Sequence, residues 1–337
     1  MAPTGIAVIG AGPWGLTLTG AFASLPQVEV RWICDLDDDR RARAGAVHAA
    51  ARLSADLDDA LRDPGVAAVV VAVEPARHHA VGMRALAAGK HLFVEKPLAL
   101  SARDAGALHA AAAARGLVLD VGHLLLHHPA VARAKAIVAD RMLGEPLTFR
   151  SRRATPGAPR RPGSAWWALA PHDVSLALHL FAGLPKTVTA TGAEWGRSDE
   201  DNAATAVLHF SGGRTAHIQV ARFAARKRRV TAIEGTRGAL TFDELATTPD
   251  TLRLWTPQQG TVTLPCDLVD ALRAQCIDFA AAVARGDARS GNGAHAVEVV
   301  AVLEAGERSM RCGGAPQTVT VDAGPVTPLE TASFEAA

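Results

Sequence analysis

Short apolar runs alternate with helical stretches through the N-terminal third of the chain. The runs AAVVVAV (67–73) and LFV (92–94) are apolar throughout, which is typical of parallel strands that are covered on both faces. The stretches RHHAVGMRALAAG (77–89) and ARDAGALHAAAAARG (102–116) have helical periodicity and end in glycine. Strands that alternate with helices at this spacing predict an α/β domain with a doubly wound parallel sheet over residues 1–122.

The pattern changes after this first domain. The stretch HPAVARAKAIVAD (128–140) predicts an amphipathic helix, and later segments alternate apolar and polar positions with period two. These segments predict a mostly antiparallel sheet, and they are LTFRSRR, KTVTATGAEW, NAATAVLHF, TAHIQVARF, KRRVTAIEG and GALTF. Residues 267–286 and 294–310 predict two long amphipathic helices. We expect an α+β second domain at 123–325 and a frayed tail at 326–337.

A glycine-rich turn follows the first apolar run of the chain. Gly10, Gly12 and Gly15 form the pattern G-x-G-x-x-G between a predicted strand and a predicted helix, and the next strand ends at Asp35, 20 residues beyond Gly15. Such glycines let the backbone approach a pyrophosphate, and an acid at this distance binds ribose hydroxyls. The turn predicts a Rossmann dinucleotide site. A carboxylate at Asp35 would repel a 2′-phosphate and favours NAD over NADP, although Arg40 beside it would soften that preference.

A charged triplet, Glu95-Lys96-Pro97, ends the strand that contains LFV. Ligands of doubly wound sheets bind beyond the carboxyl ends of the strands, so Lys96 is expected at the cofactor edge. The alternative is a solvated lysine at the end of a strand.

Composition and charge exclude several classes of function. The 337 residues carry a formal net charge of +1, which gives no bulk attraction to nucleic acid or to a membrane surface. No window reaches about 18 uninterrupted apolar residues, and the N-terminus lacks the pattern of a signal peptide. The four cysteines form no C-x-x-C pair, and His123, His127 and His128 lack carboxylates at metal-ligand spacing. We expect a cytoplasmic protein without a metal, a nucleic-acid partner or a membrane partner.

Several segments together resemble the Gfo/Idh/MocA family of oxidoreductases. Those segments are GAGPWG (10–15), CDLD (34–37), EPARHHAVGMRALAAGKHLFVEKPLAL (74–100), GHLLLHHPAV (122–131), WWALAPHDVSLALHLFAGLP (166–185), EGTRGALTF (234–242) and HAVEVVAVLEAGERS (295–309). Within that family, the chain looks most like the branch that acts on C3 hydroxyls of nucleotide-linked amino sugars.

The resemblance implies an NAD-dependent dehydrogenase that forms a homodimer or homotetramer through its C-terminal sheet. It implies that Lys96 touches the reacting hydroxyl, that the peptide before Pro97 is often cis, and that His172 is catalytic. The residues expected at the cofactor are Gly10, Gly12, Pro13, Trp14, Gly15, Asp35, Arg40, Glu74, Pro75, His78, Glu95, Lys96 and Pro97. The residues expected at the substrate are Lys96, His123, Arg152, Arg160, Arg161, Trp166, Trp167 and His172.

One position departs from the family pattern. The family commonly carries an aspartate four residues before its catalytic histidine, and this chain has Ala168 there. Asp173 cannot simply replace it, because adjacent helical residues point about 100° apart. We expect another group or a water to orient His172. The alternative for His172 is a capping role after Pro171.

Two basic segments lie in the second domain. The segment RSRRATPGAPRRPGSAWW (150–167) carries five arginines, and it is either a solvated basic loop or a flexible lid that grips an anionic substrate. Its Trp166 and Trp167 either stack on the substrate or pack in the core. The run RFAARKRRV (222–230) is expected at an interface or on a solvated face.

The sequence therefore predicts oxidation of a secondary ring hydroxyl, at C3, of an amino-sugar-containing substrate, before transamination in a biosynthetic pathway. A nucleotide sugar is the first choice. A sugar ring of an aminoglycoside antibiotic intermediate is the second choice. The positive charge of such a substrate disagrees with the arginine segment. It suits Asp199, Glu200 and Asp201 if these residues line the site. A non-catalytic NAD-binding sensor is the third. Ala168 favours the sensor, whereas retention of Lys96 and His172 disfavours it.

Overall fold

Two sheets organise the molecule. The computed structural model describes residues 3–157, 163–194, 201–246, 251–267 and 269–321. The N-terminal sheet has the strand order β3-β2-β1-β4-β5-β6, and every pair in it is parallel. Its strands are β1 (Thr4–Ile9), β2 (Val28–Cys34), β3 (Arg52–Ser54), β4 (Ala68–Val71), β5 (His91–Val94) and β6 (Leu119–Val121). The predicted doubly wound sheet is confirmed.

Helices connect these strands. They are α1 (Pro13–Ala23), α2 (Asp38–Val47), α3 (Leu57–Arg62), α4 (Pro75–Ala87) and α5 (Ala102–Ala114). β1 lies between β2 and β4. The chain therefore proceeds from β1 to β2 and β3 on one side, and then crosses to β4, β5 and β6 on the other side. This is the topological switch point of the sheet, where an open α/β fold leaves a crevice for a ligand.

The second sheet has nine strands in the order β14-β13-β12-β11-β7-β10-β9-β8-β15. Its strands are β7 (Pro146–Ala154), β8 (Thr187–Glu194), β9 (Asp201–His209), β10 (Thr215–Ala221), β11 (Arg228–Gly235), β12 (Ala239–Asp243), β13 (Leu252–Thr256), β14 (Gly260–Leu264) and β15 (Gln317–Thr318). Each pair is antiparallel except that of β10 with β7, which confirms the predicted mostly antiparallel sheet. The short strands β13, β14 and β15 were not among the predicted ones.

One long helix covers the inner face of this sheet. The helices of this half of the chain are α6 (Pro129–Ala139), α7 (Ala165–Phe181), α8 (Ala271–Arg285) and α9 (Gly293–Arg311). Buried side chains of α7, such as Val174 and Leu178, share a core with Phe149, Ile218 and Ile233 of the sheet. The burial of α7 fixes its position against β7, β9 and β10, which is what places its polar side chains.

The last two helices return to the first domain. Phe279 of α8 packs edge-on against Phe22 and Phe93, with ring centroids 6.1 and 5.5 Å apart. α9 contributes Val300 to the core of the first domain and Val302 to that of the second. A division of the chain at residue 122 therefore separates α8 from the sheet on which it packs. The expected tail at 326–337 lies outside the described residues.

No helix in the described ranges has both the length and the apolar character that crossing a membrane requires.

Candidate active site

A cavity of about 690 Å³ borders the carboxyl ends of β1, β2 and β4. Eight of the residues expected at the cofactor line it, namely Gly10, Gly12, Pro13, Trp14, Gly15, Asp35, Arg40 and Glu74. Arg77, Val81 and Arg84 of α4 line it too and were missed. Their spacing of i, i+4 and i+7 puts them on one helical face, so the periodicity of α4 could have found them.

The glycine-rich turn is shaped for close approach of a ligand. Gly10 has φ of 103°, and a Cβ there would lie 2.5 Å from the carbonyl oxygen of Ala72. A Cβ at Gly15 would lie 2.0 Å from the carbonyl oxygen of Gly10, so both positions require glycine. A Cβ at Gly12 would contact nothing within 4 Å, although Gly12 lines the cavity. That open space, at the start of α1 with no acidic residue in its first turn, fits a pyrophosphate.

Asp35 is fixed at the edge of the same cavity. Its Oδ2 accepts a hydrogen bond from the backbone N–H of Ala11 at 2.7 Å, and its Oδ1 accepts one from Asp37 N–H at 3.0 Å. Arg40 lies 3.8 Å from the Asp35 carboxylate and 3.7 Å from that of Asp37, so its charge is balanced locally. This geometry suits the hydroxyls of a ribose and opposes a 2′-phosphate.

The Glu95-Lys96-Pro97 segment is packed tightly beneath the turn. The carboxylate of Glu95 is buried, and it accepts hydrogen bonds from Trp14 and from the backbone N–H of Lys96. Burial raises the pKa of Glu95, against the opposing effect of these partners. A Cβ at Gly122 would lie 2.8 Å from Glu95 Oε1, so Gly122 provides the room for this side chain. The Lys96–Pro97 peptide is cis.

Lys96 crosses from the first domain to α7. Its Nζ donates a hydrogen bond to the main-chain carbonyl of Ala168, at 3.0 Å. Burial lowers the pKa of Lys96; Glu95 opposes this effect, while Arg153, Arg229 and Arg222 reinforce it. The ammonium therefore stands in a site where its charged form is disfavoured, which eases the sharing of its proton.

His172 lies one helical turn beyond Ala168 on α7. Burial holds its pKa well below the ordinary value for histidine, and the nearby charges of Lys96 and Arg153 lower it further. Its Nδ1 is buried and has no hydrogen-bond partner, and the residue one turn before it, Ala168, has no side-chain group that could supply one. The ring is neutral at physiological pH and can accept a proton.

Both ring nitrogens of His78 lie against backbone carbonyl oxygens. Its ring is buried, with Nδ1 2.7 Å from the carbonyl oxygen of Pro97 and Nε2 3.1 Å from that of Val73. It is not among the residues that line the cavity beside β1, β2 and β4, and its expected contact with the cofactor stays a prediction. The ring instead connects two backbone segments, one beside the cavity and one beside Lys96. Pro75, the first residue of α4, is also absent from the lining.

The three histidines of the GHLLLHHP segment point to different places. His123 is fully buried, and its ring packs edge-on against that of His295, with centroids 5.7 Å apart. Its charge effect reaches His172, so it lies close to the candidate catalytic pair. His127 Nδ1 lies 2.8 Å from Asp278 Oδ2, and His128 caps α6 by accepting from Ala130 N–H. Among the described residues, no group of metal-binding side chains is assembled.

The structure corrects the interpretation of the first basic segment. Residues 150–154 belong to strand β7 rather than to a loop. Arg153 is buried and donates to Asp173 at 2.8 Å and to Glu244 at 3.0 Å. Burial lowers the pKa of Arg153, but the two carboxylates outweigh it and hold that pKa above the ordinary value. Arg152 is exposed on the opposite face of the strand, pointing away from α7, so its expected contact with substrate was wrong. Arg160 and Arg161 lie outside the described residues.

Trp166 is a core residue and not a stacking platform. It is completely buried, and its indole N–H donates to the carbonyl of Leu303 at 2.8 Å. Its backbone N–H donates to Asp201 Oδ2 at 2.9 Å, so this carboxylate anchors the start of α7. Trp167 is half-buried and packs against the cores of both domains. Asp199 and Glu200 lie outside the described residues.

Comparison with known proteins agrees with this geometry. Residues 4–123 match the model of the oxidoreductase family with an NAD-binding Rossmann fold, Gfo/Idh/MocA, and residues 131–241 match the model of the Gfo/Idh/MocA C-terminal domain. UDP-N-acetylglucosamine 3-dehydrogenase of Acidithiobacillus ferrooxidans is 31% identical over 229 residues, which cover 66% of this chain and 69% of that protein.

Solved structures are similar over almost the whole chain. GenD2 from gentamicin A biosynthesis, in complex with NAD, is 27% identical with a TM-score of 0.82, covering 95% of this chain and 97% of GenD2. UDP-N-acetylglucosamine 3-dehydrogenase GnnA from Acidithiobacillus ferrooxidans is 26% identical with a TM-score of 0.82, covering 93% and 99%. The chain belongs to the Gfo/Idh/MocA family, and it is an NAD-binding oxidoreductase.

Proposed function

We propose that this oxidoreductase removes hydride from a secondary ring hydroxyl, at C3, of an amino-sugar-containing substrate and leaves a ketone. A nucleotide sugar is the first-choice substrate. The observation that carries the proposal is the placement of Lys96 Nζ 3.0 Å from the Ala168 carbonyl, one turn before His172 and directly after the strand that ends at the cofactor edge. A proton-sharing group on the first domain thus contacts the helix that carries a neutral base.

The two side chains divide the proton chemistry between them. NAD, when bound, accepts the hydride of the C–H bond. Lys96 donates a hydrogen bond to the reacting oxygen and stabilises its developing negative charge. His172 accepts the hydroxyl proton, which its depressed pKa allows at neutral pH because the ring is already unprotonated. Burial of both groups keeps bulk water away from the reacting oxygen.

Two similar proteins support a sugar substrate. One is UDP-N-acetylglucosamine 3-dehydrogenase, and the other is GenD2 of gentamicin A biosynthesis. The arginines that act on Lys96 disfavour a cationic aminoglycoside, and Asp201 is engaged by the backbone of Trp166. A 3-keto amino sugar is a carbonyl compound that an aminotransferase can take up, so the proposed place of this reaction is before a transamination.

Ala168 favours one rival, a non-catalytic sensor of NAD. Loss of the carboxylate beside His172 is what a retired active site would show. The strongest argument against the sensor is the buried Lys96, because burying an ammonium costs free energy that a purely structural contact does not require.

The decisive experiment is NADH absorbance with purified protein and NAD against two substrate pools. One pool contains nucleotide sugars and sugar phosphates, and the other contains aminoglycosides and their pseudodisaccharide precursors. Signal from the first pool supports the proposal. Signal from the second pool alone makes the protein an aminoglycoside dehydrogenase, and silence from both with tight NAD binding favours the sensor.

We also propose that two or four copies assemble through the outer face of the nine-stranded sheet. The support is the period-two pattern, in which one face of strands such as β9 and β10 packs on α7 and the other remains partly accessible. Light scattering on a size-exclusion column gives the mass, and a monomeric mass contradicts the assembly.

A further inference from the structure

Buried polar atoms without hydrogen-bond partners gather around the Lys96–His172 pair. Among the described residues they include both ring nitrogens of His123, Nδ1 of His172 and Nε of Arg229. A buried donor or acceptor without a partner destabilises the folded protein, so a concentration of them marks a place where another molecule supplies the partners.

Arg229 is the one guanidinium in this group of atoms. It lies on β11 directly opposite Arg153 of β7, on the face of the sheet that α7 covers. Its side chain is 35% exposed, so one end is accessible while Nε is buried. Its approach to a carboxylate is loose, 3.8 Å to Glu244 Oε2, and that oxygen already accepts from Arg153 at 3.0 Å. Arg229 therefore retains hydrogen-bonding capacity that the protein does not use.

The charges around Lys96 do not cancel. The carboxylates of Asp173 and Glu244 are both committed to Arg153. Burial is the main cause that lowers the pKa of Lys96; Arg153, Arg229 and Arg222 lower it further, and Glu95 opposes them. Burial likewise lowers the pKa of Arg229, and Arg153 lowers it further. Such an excess of positive charge is relieved by an anion.

We propose that Arg229 is an anion subsite of the active site, which binds a carboxylate or phosphate group of the substrate close to the ring that is oxidised. This inference rests on the proposed function and deepens it, because it moves anion recognition from the segment 150–161 to strand β11. A guanidinium presents paired N–H donors that match two oxygens of such a group. The anion comes either from the ring itself, as in a uronic acid, or from a phosphate at C1.

Matched substrates distinguish these two sources. The set is N-acetylglucosamine 1-phosphate, the methyl glycoside of N-acetylglucosaminuronic acid, and the neutral methyl glycoside of N-acetylglucosamine, with the nucleotide-linked forms of N-acetylglucosamine and N-acetylglucosaminuronic acid added. Each is assayed for NADH formation and, separately, for calorimetric binding to the protein saturated with NADH. The calorimetric measurement detects the subsite even if no hydride is transferred.

The variants are Arg229→Gln, Arg229→Lys and the control Arg228→Gln. Arg228 is the preceding residue of β11 and lies on the other face of the sheet. Arg229→Gln is expected to raise KM or Kd for the anionic sugar by roughly 10- to 100-fold, with the neutral glycoside unaffected, and Arg229→Lys is expected to restore part of the loss. Arg228→Gln is expected to change neither value by more than about twofold.

The outcomes separate the subsite from the proposed function. Equal effects of the Arg229 and Arg228 variants, or wild-type preference for the neutral glycoside, overturn the subsite while a dehydrogenase activity stands. Binding of an anionic sugar that depends on Arg229, without NADH formation from any substrate, supports the subsite and removes the proposed oxidation.

Discussion

The ammonium of Lys96 donates a hydrogen bond to the main-chain carbonyl of Ala168, 3.0 Å away and 72 positions further along the chain. This contact joins the end of a parallel strand to the helix that carries His172. A carbonyl can hold the lysine in place but cannot be ionised, so it does not neutralise the ammonium as a carboxylate would. Burial first, and then neighbouring positive charges, lower the pKa values of both Lys96 and His172.

Removing the ammonium tests its role directly. Lys96→Met is expected to lower kcat/KM by roughly 10²- to 10⁴-fold, because the reacting oxygen loses its polarising donor, while the affinity for NADH remains unchanged. Stopped-flow absorbance and NADH fluorescence titration measure the two quantities. Lys186→Met, an exposed lysine, is the matched control and should behave as wild type. Turnover of Lys96→Met at the wild-type rate would remove Lys96 from the mechanism.

The dependence of kcat/KM on pH should reflect the absence of a carboxylate at position 168, one helical turn before His172. His172 must be neutral to accept a proton, and its pKa lies well below 6.5, so kcat/KM is expected to stay high below pH 6.5 before it declines. Ala168→Asp places a negative charge one turn away, which favours the protonated ring, and should move the acid limb of the profile to higher pH. Superimposable profiles for the two proteins would show that His172 is not the titrating base.

Buried histidines should make the fold sensitive to acid. Burial lowers the pKa of His295 to about 4, so the unfolded chain binds its proton first as the pH falls below 6.5. Its contribution to stability is complete above that pH, and up to roughly 3 kcal/mol of it is lost as the pH falls from 6.5 to about 4. The Tm of His295→Gln, which can still bond Ser175, should therefore fall less steeply over this interval than that of wild type. Parallel curves would contradict this assignment.

The charge of Asp35 should set the choice of cofactor. Asp35→Asn keeps an oxygen for the N–H of Ala11 but removes the negative charge. Like charges about 4 Å apart repel by about 1–4 kcal/mol, so the ratio of NADPH to NADH dissociation constants should fall at least roughly fivefold. Fluorescence titration with both reduced cofactors measures the ratio. A ratio that stays at the wild-type value would assign the discrimination to other residues of the cavity.

Much of the fold was predictable because its signals are local. The apolar strands, the glycine-rich turn and Asp35 follow from periodicity and short spacing, and all were found in the sequence. Which of Arg152 and Arg153 is buried was not predictable, because both partners of Arg153 are distant in sequence, at positions 173 and 244. Trp166 was misplaced for the same reason, since its partner Leu303 is 137 positions away. Arg229 was assigned to an interface or a solvated face because period two alone does not say which face α7 covers.

The neighbouring arginines of β7 offer a matched pair for stability. Arg153→Met leaves the carboxylates of Asp173 and Glu244 buried without their shared cation, which is expected to reduce the free energy of unfolding by about 3–5 kcal/mol. Arg152→Met changes an exposed side chain on the other face and is expected to cost no more than about 0.5 kcal/mol. Urea denaturation at pH 7 measures both. If Arg153→Met is as stable as Arg152→Met, the two carboxylates are protonated in the variant, and its free energy of unfolding should then fall as the pH is raised. A stable variant whose free energy of unfolding does not depend on pH in this way would show that the buried ion pairs contribute nothing to stability.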